Sequence, residues 1–78
     1  MIYVYALASK NRNYIYVGMT NDVTRRLNEH NTGENRSTKA YAPFTLIYTE
    51  RLSTRIEARI KEKYFKSGVG KEFLKKLI

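Results

Sequence analysis

Two stretches of the chain decide the fold: residues 2–8 read Ile-Tyr-Val-Tyr-Ala-Leu-Ala, and residues 14–19 read Tyr-Ile-Tyr-Val-Gly-Met. Both are rich in β-branched and aromatic residues, which favour strands. The five residues between them, Ser-Lys-Asn-Arg-Asn, are polar and typical of a turn. The pattern therefore predicts a β-hairpin.

The alternation of side chains along the two strands also predicts a register. Pairing Tyr5 with Tyr16 places Tyr3 opposite Gly18 and collects the tyrosines on one face of the hairpin. The other face then carries aliphatic side chains. We predict this register because a slip by one residue would mix the two faces.

A helix is predicted next, over 22–31, with Thr20 or Asn21 as its cap and Asp22 at its positive end. Helical spacing of i, i+3, i+4 and i+7 puts four residues on one face. These residues are Val23, Arg26, Leu27 and His30. A polar, basic loop follows over 34–42.

The second half of the chain predicts a strand over 44–49 and two helices. The first of these helices runs to about residue 66 and begins with a capping box between Thr54 and Glu57. The run Ser-Gly-Val-Gly at 67–70 is expected to break it. A last helix over 71–77 is expected to offer four residues to the core, Phe73, Leu74, Leu77 and Ile78. The predicted fold class is α+β, a small three-stranded antiparallel sheet flanked by three helices in the order β-β-α-β-α-α.

Composition limits the possible functions. A chain of 78 residues predicts one domain, 1–78, too small for a large cofactor site. Without cysteine it has no disulfide, thiolate metal site or cysteine nucleophile. No apolar run reaches the roughly 18–20 residues of a membrane span, so we expect a cytoplasmic protein without a membrane partner. The net charge of +8 favours a polyanion as partner, with nucleic acid first and acidic lipid or protein behind it.

Several side chains combine into the parts of a phosphodiester-cleaving site. Tyrosine hydroxyls can orient a water, and Arg26 can bind phosphate through its planar fork. One carboxylate on the later helix can hold a divalent metal whose other ligands are phosphate oxygens and water. Each residue also has an ordinary structural role. Tyrosines pack, a lone His30 is often structural, Glu57 fits the capping box, and Glu62 can pair with nearby Arg or Lys.

The order of these residues resembles the GIY-YIG nuclease superfamily. The tripeptides Tyr3-Val4-Tyr5 and Tyr16-Val17-Gly18 look like the two halves of its signature, and Tyr5 and Tyr16 lie eleven positions apart, as in that family. Arg26 and His30 follow at the expected spacing, and residues 58–66 resemble the helix whose glutamate holds a metal. The likeness extends from residue 3 to about 74. It is greatest to small stand-alone bacterial members, akin to the nuclease module of the excision-repair incision subunit.

This resemblance implies a Mg²⁺-dependent DNA endonuclease, with repair or recombination intermediates as expected substrates. Tyr5 would be the general base or would orient the water, and Tyr16 would supply a second hydroxyl. Arg26 would neutralise transition-state charge, while His30 would tune Tyr5 or contact phosphate. Glu62 would hold a single Mg²⁺ or Mn²⁺.

The resemblance and the charge also suggest residues that contact the substrate. Gly18 would let the backbone pass close to it. The basic side chains expected to contact the nucleic-acid backbone, or else to form a solvated face, are Arg36, Lys39, Lys61, Lys63 and Lys66. No small-molecule cofactor is expected, RNA is not excluded as substrate, and a protein partner is possible.

Two alternatives stay open at this point. Many members of the superfamily carry an asparagine after the metal-binding glutamate, and this chain has none beyond Asn35. A non-catalytic, basic nucleic-acid-binding module with the same fold is therefore the second hypothesis. A basic protein that docks on an acidic partner is the third, and it alone predicts no affinity for DNA or RNA.

Overall fold

Three strands form one antiparallel sheet in a computed structural model of the protein, which describes residues 1–78. The strands are β1 (Ile2–Ser9), β2 (Ile15–Thr20) and β3 (Phe44–Leu52), in the order β2-β1-β3. The helices are α1 (Val23–Asn31), α2 (Arg55–Lys66) and α3 (Gly68–Lys75), with a 3₁₀ turn at Lys39–Tyr41. The predicted α+β fold and element order are confirmed. None of the helices has the length and apolar character needed to span a bilayer.

The sheet has two different faces, as the hairpin pattern predicts. One face is aliphatic and packs on α2 and α3 through Ala58, Phe65 and Leu74. The other carries Tyr5 and Leu7 and is covered by α1 and the segment that follows it. Burial of the first face supplies most of the apolar core, and the second face holds the polar residues described below.

The predicted hairpin register is wrong by two residues. Tyr5 pairs with Gly18, and Leu7 pairs with Tyr16. Because side chains alternate with a period of two, a shift of two residues leaves each one on its own face. The faces were therefore predictable even though the pairing was not.

The turn explains the register. The backbone N–H of Ser9 donates to the Tyr14 carbonyl at 2.9 Å, which closes a four-residue loop. Inside that loop the Ser9 hydroxyl accepts from the N–H groups of Asn11 and Arg12. In the predicted register Ser9 would lie opposite Arg12, so this bond to Tyr14 could not form.

The third strand is longer than predicted, ending at Leu52, and it is irregular. Its pairing with β1 shifts between Tyr48 and Leu46, which makes Ile47 an extra residue. Ile47 and Tyr48 consequently both pack on the aliphatic face. The side chains of 44–49 therefore do not follow the simple alternation of a regular strand.

The helix starts depend on local hydrogen bonds. At α2 the predicted capping box is confirmed, with reciprocal bonds of 3.1 and 3.2 Å between Thr54 and Glu57. At α1 the cap is Asp22, whose carboxylate accepts from the backbone N–H of Arg25 at 3.0 Å, rather than the predicted Thr20 or Asn21.

The last helix begins three residues earlier than predicted. Ser67 alone separates α2 from α3, and its hydroxyl donates to the Tyr64 carbonyl at 2.6 Å. Position 70 of α3 requires glycine, because the end of α2 passes so close that a Cβ there would overlap the Tyr64 carbonyl oxygen. Of the four residues predicted for the core only Leu74 is buried. The exposed ones are Phe73, Leu77 and Ile78.

Candidate active site

Tyr5 lies in the middle of the central strand and is fully buried beneath α1. Its hydroxyl lies 3.2 Å from Nε2 of His30. The phenol fits because its cross-strand partner is glycine: a Cβ at Gly18 would lie 2.9 Å from the Tyr5 oxygen and 3.0 Å from Cε2 of Tyr16. In this structure Gly18 makes room for two tyrosine rings, while its expected approach to substrate stays a prediction.

Tyr16 lies on the edge strand β2 and is half-buried. Its ring centroid is 6.1 Å from that of Tyr5 and 4.7 Å from that of His30. The two tyrosines are diagonal neighbours rather than the direct partners that the predicted register implied. They still lie side by side on one face of the sheet.

His30 lies on the last turn of α1 and is fully buried. Nδ1 lies 2.8 Å from the hydroxyl of Thr38, so both ring nitrogens have a hydrogen-bond partner. Burial lowers the pKa of His30, and the positive charge of Arg26 lowers it further, against the opposing effect of Glu29. The imidazole is therefore neutral at neutral pH.

Arg26 lies one helical turn before His30, with its side chain 27 % exposed. Nη1 donates to Oε1 of Glu29 at 2.5 Å, and the guanidinium lies beside the Tyr5 hydroxyl. Burial raises the pKa of Tyr5 to about 12, although the neighbouring Arg26 opposes the rise. Tyr5 thus keeps its phenolic proton at neutral pH.

Arg26 lines an open cleft of about 460 Å³. All of its lining residues are polar or charged, and they come from α1 and the loop after it. The predicted contact residue Arg36 lies on this cleft with Arg26. The full lining is Arg26, Glu29, Glu34, Asn35 and Arg36. Two guanidinium groups at one polar opening form a suitable place for a phosphate.

Glu62 lies on α2, which packs against the aliphatic face of the sheet. Its side chain is 17 % exposed and pairs with Lys66 at 3.2 Å and Arg59 at 3.6 Å. No hydrogen bond or ion pair joins it to the tyrosines, Arg26 or His30. No cluster of three or more carboxylate or imidazole side chains is available for a metal. A single carboxylate fits a magnesium site only where phosphate oxygens and water complete the coordination.

The predicted basic contact residues lie in different places. Lys66 lines a groove of about 320 Å³ along β2 that also includes Tyr16 and Lys71. Lys61 instead pairs with Glu50 of β3, on the opposite edge of the sheet. Lys63 is exposed on the outer side of α2, and the aliphatic stem of Lys39 covers the turn after α1.

Comparison with known proteins identifies the family. Residues 1–76 match the family described as the GIY-YIG catalytic domain. The chain belongs to the GIY-YIG family. The match covers both strands of the hairpin, α1 and α2, so it includes every side chain of the site described above. The predicted family resemblance is confirmed.

Relatives with the same domain are UPF0213 proteins. One from Streptococcus agalactiae is 45% identical over 53 residues, which are 67% of this chain and 60% of the relative. The protein YazA of Bacillus subtilis is 38% identical over 71 residues, which are 90% of this chain and 71% of that protein. The chain therefore spans about 60% of the length of the Streptococcus relative.

A solved structure has the same fold. The solution NMR structure of a UPF0213 protein from Bacillus halodurans is 36% identical, with a TM-score of 0.57. The alignment covers 99% of this chain and 85% of that one. This likeness supports the three-stranded sheet and the helix order of the GIY-YIG domain.

Three residues that contribute to this GIY-YIG site were missed in the sequence. Glu29 was detectable, since it lies three residues after Arg26 on the same helix. Thr38 and Lys71 were not, because their contacts to His30 and to the Ile15 carbonyl depend on how distant segments pack. Burial and the nearby Lys66 and Lys75 lower the pKa of Lys71.

Proposed function

We propose that this GIY-YIG domain is an endonuclease that hydrolyses phosphodiester bonds of DNA with a single Mg²⁺ or Mn²⁺ ion. The observation that carries the proposal is the placement of the Tyr5 hydroxyl, which contacts His30 and lies beside the guanidinium of Arg26. Arg26 in turn lines a cleft whose residues are all polar or charged. Membership of a nuclease domain family supports it independently. Repair or recombination intermediates are the proposed substrates.

In the proposed reaction Tyr5 orients the attacking water and relays its proton. The phenol is protonated at neutral pH, and the neutral imidazole of His30 can accept its proton. As the water oxygen bonds to phosphorus, the proton of the water moves to Tyr5 and the phenolic proton moves to Nε2 of His30. The bond from phosphorus to the leaving oxygen then breaks, and the leaving oxygen keeps the electron pair and takes up a proton from solvent.

Access to Tyr5 requires a side-chain movement, because Tyr5 has no exposed surface. Arg26 lies between the phenol and the open cleft and is tied to Glu29 by an ion pair. Substrate phosphate competes with the Glu29 carboxylate for this guanidinium. Binding would thus release Arg26 towards the phosphate, where it neutralises the charge of the transition state.

Tyr16 and Glu62 have the remaining proposed roles. The half-exposed Tyr16 offers a second hydroxyl beside the reacting group. Glu62 is the carboxylate that would hold the metal, after exchanging its contacts with Arg59 and Lys66. When bound, the ion neutralises charge on the scissile phosphate and the leaving oxygen.

The proposal is tested by incubating the purified chain with branched and linear DNA, and with RNA, in Mg²⁺, Mn²⁺ or EDTA. We expect metal-dependent strand breaks that Arg26→Ala and Glu62→Gln abolish. Arg25→Ala is the matched control for Arg26, since Arg25 also pairs with Glu29 but is mostly exposed. Glu72→Gln is the control for Glu62, since Glu72 is an exposed, lysine-paired carboxylate. Wild-type cleavage in Arg26→Ala and Glu62→Gln would contradict the site.

A non-catalytic nucleic-acid-binding module is the second candidate function. The observation that favours it is the burial of Tyr5 together with the pairing of Glu62 with two cations. It predicts DNA binding that survives EDTA, weakens steeply with salt and produces no strand breaks in any metal.

A further inference from the structure

We infer that Thr38 fixes the proton of His30 on Nδ1 and thereby makes the Tyr5 hydroxyl a hydrogen-bond acceptor towards the cleft. Thr38 is then a positioning residue of the site. Its expected effect on cleavage rests on the proposed function, whereas its effect on the proton of His30 does not.

The Thr38 hydroxyl contacts His30 rather than capping the turn that follows it. Thr38 directly precedes the 3₁₀ turn, a position at which a threonine side chain ordinarily caps the helix. It makes no such bond here. The residue is fully buried, and its hydroxyl instead lies 2.8 Å from Nδ1 of His30. The hydroxyl therefore serves the imidazole rather than the turn.

One distribution of protons satisfies these groups. The Thr38 hydroxyl donates to the Asn35 carbonyl at 3.4 Å, so its oxygen is free to accept the proton of Nδ1. Nε2 then carries a lone pair and accepts from the Tyr5 hydroxyl at 3.2 Å. Of the other neighbours of that hydroxyl, Arg26 has donors only, and the Tyr16 hydroxyl can donate as well as accept. The tautomer with its proton on Nδ1 satisfies the groups at both ends of this chain of hydrogen bonds.

This distribution of protons sets the direction of the Tyr5 hydroxyl. A phenol has one proton to donate, and here His30 takes it. Towards the cleft Tyr5 can then only accept. A water that donates to Tyr5 keeps a lone pair free for phosphorus, as a nucleophile must. With the proton of His30 on Nε2, the Tyr5 proton would turn outward and this orientation would be lost.

The tautomer can be measured directly, because His30 is the only histidine of the chain. Nitrogen-15 NMR of the imidazole, on protein without a histidine tag and above the pKa of His30, reports which nitrogen carries the proton. We expect Nδ1–H in the wild type and in Thr38→Ser, which keeps the hydroxyl. In Thr38→Val we expect the proton to move wholly or partly to Nε2. A wild-type proton on Nε2, or an unchanged tautomer in Thr38→Val, would overturn the inference.

Cleavage assays supply the second readout. Thr38→Val should cleave DNA at least about tenfold more slowly than the wild type, and Thr38→Ser should restore most of the rate. A Thr38→Val variant with the wild-type rate would also overturn the inference. If Thr38→Val does not fold, the wild-type spectrum still decides the tautomer. A wild type that holds Nδ1–H but cleaves nothing would refute the proposed function and leave the role of Thr38 towards His30 standing.

Discussion

Gly18 and Tyr5 are direct cross-strand partners, and the phenol occupies the space that a side chain at Gly18 would need. The glycine of the second signature tripeptide thus accommodates the tyrosine of the first. The two halves of the motif are therefore coupled through packing as well as through any shared chemistry.

Gly18→Ala should accordingly disturb the site. A Cβ at Gly18 would lie 2.9 Å from the oxygen and 3.1 Å from Cζ of Tyr5, whose buried ring has little room to move. We expect the free energy of unfolding to fall by about 1–3 kcal/mol in urea titrations, as for other overpacked sites. Cleavage should fall too, because the phenol shifts relative to His30.

Gly68→Ala is the matched control for that substitution. Nothing lies within 4 Å of a Cβ at Gly68, which is in the first turn of α3. Alanine there should leave stability unchanged or slightly raised, because alanine favours helices. Equal stability and activity in Gly18→Ala and Gly68→Ala would show that Gly18 is not needed for space.

The lowered pKa of His30 predicts a loss of stability in acid. Below the ordinary value of 6.5 the unfolded chain binds a proton that the folded chain still rejects. The contribution of His30 is therefore complete above pH 6.5 and is lost as the pH falls through the lowered pKa. Charged or titratable groups facing the ring are Tyr5, Tyr16, Arg26 and Glu29.

NMR titration of the single histidine should give a pKa below 6.5. In urea titrations the free energy of unfolding of the wild type should fall as the pH is lowered from about 6.5 to 5. This range lies above the ordinary carboxylate pKa values. A His30→Gln variant should lack that part of the slope. A His30 pKa at or above 6.5 would contradict the neutral, buried imidazole on which the proton relay depends.

DNA binding should depend on Lys66, which lies beside β2, more than on Lys63, which lies on the outer face of α2. Lys66 lines the groove with Tyr16, whereas Lys63 is exposed on the opposite side of α2 from Phe65. In fluorescence anisotropy at several salt concentrations, Lys66→Met should lower the salt slope by about one. Lys63→Met, which removes the same charge, should change it less. A larger change of the salt slope in Lys63→Met than in Lys66→Met would contradict this path for the DNA backbone.

The features predicted correctly from the sequence depend on neighbouring residues. The capping box of Thr54 and Glu57 is local, and the two-faced hairpin follows from alternation alone. The hairpin register was not predictable in the same way, because shifts of two residues preserve both faces. A hydrogen bond from Ser9 to Tyr14 decided between them.

The site was predicted in composition but not in detail. Tyr5, Tyr16, Arg26 and His30 do come together, and the spacing of Arg26 and His30 on one helix face made that visible. Thr38 reaches His30 from an irregular segment whose path no periodic pattern encodes. The pairs of Glu62 with Arg59 and Lys66 are local to α2 and follow from helical spacing. The pair of Lys61 with Glu50 instead depends on how α2 packs on the sheet.

The most direct test of the account is the cleavage rate of Tyr5→Phe beside that of Tyr48→Phe. Each change removes one hydroxyl with one side-chain hydrogen bond, to His30 in the first case and to Glu50 at 2.7 Å in the second. Each should cost about 1 kcal/mol of stability. We predict that Tyr5→Phe slows metal-dependent DNA cleavage by about 10²–10⁴-fold while Tyr48→Phe retains the wild-type rate. Equal rates in the two variants would contradict a catalytic role for Tyr5.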